Sequence, residues 1–297
     1  MTASTTTSAK VGERSTPPRA KALAKSALSV WARATHRIRV LPDFVIIGAQ
    51  RGGTTSLYNY LADHPSVGRA FTKELRYFDV GYEQGPAWYR SRFPTSANLA
   101  LRARRHGAGI AGEASPDYLF YPLAPRRLSA VVPDAKLIVL LRDPVERAWS
   151  HWWHQVRRGH EALTFDEAIA AEDSRLSPGL LDIDADAATL TFHDHHHSYA
   201  ARGVYAPQLE RWWRVVPREQ TLVLRSEDLF DRPATVFEEV LDFLELPHWQ
   251  PPTFESLNRM AAGAMSAGAQ ASLVEHFRPH NRRLADLLGQ DLGWDGS

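Results

Sequence analysis

Residues 44–61 constrain the fold more tightly than any other stretch of the chain. Phe44-Val45-Ile46-Ile47 is a short, unbroken apolar run, the pattern of a strand buried on both faces of a parallel sheet. A glycine-rich loop from Gly48 to Gly53 follows, and Thr54-Thr55-Ser56-Leu57-Tyr58-Asn59-Tyr60-Leu61 reads as a helix. Such a loop gathers free backbone N–H groups and the positive end of the helix dipole at one point, which makes an anion cradle. Two further units repeat the alternation. Lys136 to Arg142 reads as a strand, followed by Asp143-Pro144 and a helix through Trp153. Thr221 to Arg225 reads as another, followed by Glu227-Asp228-Leu229 and a helix from Pro233 to Phe243. Buried strands alternating with helices predict a three-layer α/β fold, a central parallel sheet flanked by helices.

The loop departs from the nucleoside-triphosphate pattern GxxxxGK[ST] in one informative way. Gly48, Gly53 and Thr55 fit it, but Thr54 stands where the lysine belongs, and the basic residue has moved into the loop as Arg51. No aspartate suited to hold Mg²⁺ closes the apolar strands; Leu141 is followed by Arg142. Arg142 is expected at the carboxyl end of its strand, where open α/β sheets bind ligands, with Ser150 on the next helix. A guanidinium and a hydroxyl there form a second phosphate clamp, unless Arg142 merely pairs with Asp143 or Glu146. Two anion sites on neighbouring strand ends predict a nucleotide carrying phosphates at both ends.

Composition removes several classes of function. The chain has no cysteine, so disulfides, thiolate metal sites and cysteine nucleophiles are excluded. No apolar run approaches the roughly 20 residues of a membrane span, and the Thr/Ser-rich start lacks the apolar core of a secretory signal, so a cytoplasmic location is expected. Residues 1–40 hold eight basic residues against Glu13 alone, a net of +7, which leaves the rest of the chain at −6. That balance predicts no nucleic-acid partner for the body. It divides the chain into a basic tail with a short amphipathic helix over 1–40 and one domain over 41–297. Leu23, Ala27, Val30, Trp31 and Ala34 form the apolar stripe of that helix, which touches an anionic membrane peripherally, docks on the body or stays a solvated tail.

Several motifs now point the same way. The run from Phe44 to Leu57 resembles the 5′-phosphosulfate loop of the sulfotransferases that use 3′-phosphoadenosine-5′-phosphosulfate (PAPS). Leu140-Leu-Arg-Asp-Pro-Val-Glu-Arg-Ala-Trp-Ser150 is similar to their 3′-phosphate motif. Lys73 to Asp79, Gly112 to Leu119, Ser198 to Tyr205 and Phe277 to Asn281 resemble the heparan-sulfate-type branch, in order, from Pro42 to Trp294. The resemblance implies a P-loop-like domain that binds PAPS as sulfuryl donor without a metal. Gly52, Gly53, Thr54, Thr55 and Ser56 would hold the phosphosulfate end, and Arg142 with Ser150 the 3′-phosphate. Arg51 replaces the family's usual lysine near the leaving oxygen. Glu74 would be the base that takes the acceptor proton, with Glu113 as the reserve. The acceptor is then a hydroxyl on a carbohydrate, glycolipid or small metabolite. Many members carry a basic Lys-Gly-Arg segment over the nucleotide; this chain has Asn258 to Ala264 instead, with Arg259 the only basic residue to serve.

Other features weigh less. His193, His195, His196 and His197 match no zinc spacing and are expected in a surface or acceptor-site loop just before a helix. Trp149, Trp152 and Trp153 offer either a stacking platform or core, and Leu209, Trp212 and Trp213 read as core. Two rival functions stay open on the residues: a P-loop kinase using ATP and Mg²⁺, and a nucleotide-binding module without catalysis. Glu74, which binding alone does not require, favours an enzyme.

Overall fold

The computed structural model describes residues 30–182, 190–255 and 264–294. Its centre is one sheet of five strands: β1 (Phe44–Gly48), β2 (Val67–Arg69), β3 (Ile110–Ala114), β4 (Lys136–Leu141) and β5 (Thr221–Arg225). They lie in the order β2-β3-β1-β4-β5, and every neighbouring pair is parallel. The chain fills one side of β1 with β2 and β3 before crossing to β4 and β5 on the other. That reversal opens a crevice at the carboxyl end of the central strand.

Strand periodicity sorts the side chains into two cores. Val45 and Ile47 of β1 and Leu137, Val139 and Leu141 of β4 face one layer, packed against Leu128, Leu209 and Trp212. Phe44, Ile46, Ile138 and Leu140 face the other, against Leu57 and Leu61 of helix Thr54–Asp63 and Phe237, Val240 and Leu241 of helix Pro233–Phe243. The three-layer expectation therefore holds, as do the three strands read from apolar runs. The sequence reading missed β2 and β3. β2 has only three residues, and Ile-Ala-Gly-Glu-Ala of β3 carries a single large aliphatic side chain.

A third cluster joins helices Pro144–Arg157, Phe165–Arg175 and Ala267–Leu288 through Val145, Phe165, Leu273 and Phe277. It fixes the helix after β4 to the body. Residues 30–40 lie on the body as well: Ala32 is buried, and the buried Arg39 donates to the carbonyl of Phe93 at 2.7 Å. The rest of the predicted tail lies outside the described residues. Among the described residues no helix is long and apolar enough to cross a membrane.

Candidate active site

The loop after β1 is fixed by backbone contacts. Ala49 N–H donates to Leu140 O at 2.8 Å, Gly52 N–H to Ala49 O at 2.9 Å, and the buried Ser226 hydroxyl to Gly52 O at 2.7 Å. A Cβ at Gly52 would lie 2.5 Å from Leu140 O, so no side chain fits there. Gly53 has φ +89° and serves as the N-cap of Thr54–Asp63, and having no side chain it makes no cap hydrogen bond to that helix. Its first N–H groups are thus presented to whatever binds in front of it. Arg51 is also left-handed, at φ 70°.

Arg142 follows β4. Its Nη1 donates to Arg51 O at 3.3 Å and its Nη2 lies 3.3 Å from Glu146, the local ion pair the sequence allowed. Arg51 in turn donates from Nε to Ser150 Oγ at 3.0 Å. Burial, and then the neighbouring charge of Arg142, hold the Arg51 guanidinium below its ordinary pKa. Two guanidiniums turned toward one space favour an anion between them. Asp143 caps the following helix by accepting from Val145 and Glu146. Ser150 lies on a face of that helix that also brings Trp153, His154, Arg157 and Arg158 to the site, at the spacing i, i+3, i+4, i+7, i+8. That periodicity could have found the last four from the sequence. Burial and then Arg51 keep His154 below its ordinary pKa.

The segment after β2 supplies the opposite wall. Glu74 N–H donates to Ala114 O at 3.1 Å, and both Glu74 (φ 59°) and Arg76 (φ 53°) are left-handed. Side chains other than glycine hold that conformation only where neighbours fix it. The Glu74 carboxylate is 48% exposed and lies 2.6 Å from Lys73 Nζ. Arg76 bridges Asp79 at 2.8 Å and Asp117 at 3.1 Å, and Asp117 also meets Arg202 at 2.8 Å. Burial pushes Asp117 up, but Arg202 and Arg76 outweigh it and leave the carboxyl below its ordinary pKa.

These groups enclose a cavity of about 1130 Å³ over the carboxyl ends of the strands. Arg51, Gly53, Thr54, Thr55, Glu74, Arg142 and Ser150, each predicted from the sequence, all line it. Gly52 and Ser56 do not. The Gly52 amide is used inside the turn, and Ser56 is buried with its side chain hydrogen-bonded to Tyr60. Arg259 lies outside the described residues. Glu113 is no reserve base, because it is fully buried among Tyr89, Ser115 and Tyr118. The histidines sit within helix Phe192–His196 and at its C-cap rather than before a helix. His195 and His196 line the cavity, and the ring nitrogen of His195 lies 3.4 Å from Arg76. Among the described residues no group of three or more His, Asp or Glu side chains is arranged to hold a metal. Trp149 stacks on Trp152 with centroids 4.8 Å apart, and Trp149 and Trp153 reach the cavity.

The sulfotransferase-domain family model matches residues 41–268, a span that holds every element described so far except the C-terminal helix. The chain belongs to the sulfotransferase family. This family member is 31% identical over 280 residues to human heparan sulfate glucosamine 3-O-sulfotransferase 3A1, covering 86% of its own length and 63% of that relative's. It is 32% identical over 285 residues to human heparan sulfate glucosamine 3-O-sulfotransferase 6, covering 86% of itself and 74% of the relative. A solved sulfotransferase from Alicyclobacillus acidocaldarius superposes with a TM-score of 0.66 at 29% identity, over 87% of this chain and 100% of that one. The expected heparan-sulfate-type kinship and the P-loop-like fold are thus both borne out.

Proposed function

We propose that this sulfotransferase moves a sulfuryl group from PAPS to a hydroxyl of a carbohydrate, glycolipid or other small-metabolite acceptor. The observation that carries the reading is the pairing of Arg51 and Arg142 beside an uncapped helix N-terminus in one cavity. The donor set fits a nucleotide with two anionic ends: amides and hydroxyls at Gly53, Thr54 and Thr55, guanidiniums at Arg51 and Arg142, and the Ser150 hydroxyl. PAPS, when bound, supplies the activated sulfuryl group and a phosphate leaving group. In this reading Gly53, Thr54 and Thr55 hold the phosphosulfate end, while Gly52 and Ser56 shape the turn behind it. Arg142 and Ser150 hold the 3′-phosphate. Arg51 offsets the charge that grows on the departing oxygen, and Glu74 takes the proton of the acceptor hydroxyl. Positioning and charge complementarity supply most of the rate, as in phosphoryl transfer.

The basic N-terminal segment is assigned a peripheral contact with anionic lipid. Trp31 is 51% and Phe71 38% exposed, and the Arg39 guanidinium lies over both rings, 4.5 and 4.9 Å from their centroids. Val30 and Ile38 of the same segment are exposed as well. Exposed aromatics next to a segment of net +7 match an anionic bilayer surface.

A thermal-shift titration with PAP, the desulfated nucleotide, against ATP with Mg²⁺ tests the donor. A ligand at a hundredfold excess over its Kd stabilises by about 2.7 kcal/mol. Stabilisation by PAP that Arg142→Ala abolishes is the expected result. Stabilisation by ATP with Mg²⁺ alone would replace this reading with a kinase, and PAP binding without transfer to a broad hydroxyl panel would leave a binding module.

A further inference from the structure

We propose that Glu113 is a positioning residue whose buried carboxylate, acting through two hydroxyls, holds the loop that presents Glu74 and Arg76 to the cavity. The inference rests on the reading of Glu74 as the base. Glu113 is fully buried at the end of β3 and touches no part of the cavity. Its oxygens accept from Tyr89 OH at 2.7 Å, Ser115 Oγ at 2.7 Å and Tyr118 OH at 3.2 Å.

Two of those hydroxyls have a second task. Ser115 Oγ accepts the Arg76 N–H at 3.1 Å, and Tyr118 OH accepts the Tyr77 N–H at 2.7 Å. A hydroxyl has one proton to give. While Glu113 is ionised, it takes the protons of Ser115 and Tyr118, and their lone pairs stay free for the loop amides. A proton on Glu113 turns one carboxyl oxygen into a donor. Where Ser115 or Tyr118 accepts that proton, it can no longer give its own to the same oxygen, and with a lone pair spent on the carboxyl it holds its loop N–H less firmly. The carboxylate therefore fixes the direction of both hydrogen bonds on residues 76 and 77, in the segment where Glu74 and Arg76 hold left-handed backbone.

Burial raises the Glu113 pKa to about 7, against the lowering effect of its three hydroxyl partners, and the negative charge of Asp79 adds to the rise. The groups that face it are Tyr89 from helix Pro86–Arg90, Ser115 and Tyr118 beyond β3, Asp79 from the loop and Tyr58 from helix Thr54–Asp63. Asp79 is itself raised to about 6, by burial first, although Arg76 pulls it down.

The test is amide hydrogen exchange over residues 73–79 in the full chain, corrected for intrinsic rates, from pH 6 to 8, a range centred on the raised value. In wild type, protection of Arg76 and Tyr77 should fall as pH drops through about 7. In Glu113→Gln it should be lower, by about three- to tenfold, and flat with pH. Ser115→Ala should release the Arg76 amide alone and Tyr118→Phe the Tyr77 amide alone, which keeps the test intact if Glu113→Gln does not fold. Unchanged exchange in these variants, or a wild-type pH response that persists in Glu113→Gln, overturns the proposal. PAP-induced thermal shift is measured alongside and should be the same in Glu113→Gln as in wild type. Its absence from wild type would sink the sulfotransferase reading, while exchange still judges Glu113.

Discussion

Arg51 donates its Nε–H to the Ser150 hydroxyl at 3.0 Å, joining the loop after β1 to the helix after β4 across the centre of the sheet. Ser150 thus contacts Arg51, although the proposed function assigns it with Arg142 to the other end of the nucleotide. Its hydroxyl can accept from Arg51 and still donate its own proton to a phosphate oxygen. Hydrogen bonds to charged groups contribute roughly 1.5–3 kcal/mol. Ser150→Ala should weaken PAP binding by roughly 10- to 100-fold in isothermal titration calorimetry. Unchanged affinity would remove Ser150 from the site. Arg51→Lys keeps the charge but not the fork, so its loss should be smaller for binding than for turnover.

Glu74 presents a sharper choice. Its carboxylate pairs with Lys73 at 2.6 Å and is 48% exposed, and a surface ion pair of that kind contributes little to stability. As a general base it would carry a factor of about 10²–10⁴ in rate. Glu74→Gln should therefore lower kcat by that order while melting temperature and PAP affinity stay as in wild type. Lys73→Met breaks the same pair and should leave kcat within about threefold. Equal effects from both substitutions would reduce Glu74 to a partner of Lys73.

Most of the glycine-loop side of the cavity was legible in the sequence, because the strand, the glycine turn and the helix are contiguous and their geometry is local. Arg51, Thr54, Thr55 and Arg142 needed nothing beyond that. The far wall was not legible from the residues alone. Asp117 and His195 meet Arg76, and Arg202 meets Asp117, only because β3 inserts beside β1, and β3 is the strand whose Ala-Gly-Glu-Ala composition hides it. Glu113 was read as a reserve base for the same reason. A glutamate in a motif looks catalytic until the fold shows which face of the strand it occupies. Ser56 failed differently: on the helix it is one residue past the turn that points outward, and it bonds Tyr60 instead.

The histidines next to the cavity give a pH signature. His195 and His196 are both held down to about 4, chiefly by burial, with Arg202 repelling His195 and His160 repelling His196. In the unfolded chain they protonate near 6.5. Between these values the unfolded state binds more protons, so their contribution to stability is present above about 6.5 and is lost as pH falls toward 4. Glu113 and Glu172, both raised to about 7 by burial, act in the opposite sense, since their folded forms keep a proton the unfolded chain has released. The prediction is therefore a difference. His195→Asn with His196→Asn should lose less melting temperature than wild type between about pH 6.5 and 5 in calorimetry, a window inside the two limits. Identical slopes would mean that the rings are protonated in the folded protein.

Lipid contact is the prediction that draws on both ends of the charge asymmetry. The body is net negative and should be repelled by an anionic bilayer unless residues 1–40 outweigh it. Each Lys or Arg at such a surface contributes about 1 kcal/mol, or roughly fivefold in partitioning. Full-length protein should sediment with phosphatidylcholine vesicles containing about one-third phosphatidylglycerol and not with pure phosphatidylcholine. Changing Lys21, Lys25, Arg33 and Arg37 to Gln should lower that partitioning by roughly fivefold per residue at low salt. Trp31→Ser with Phe71→Ser should lower it while leaving the melting temperature nearly unchanged, because both rings are already partly in water. Loss through the charges alone would make the contact purely electrostatic and erase the role given to the aromatic pair. Equal binding to both vesicle types would sink the assignment.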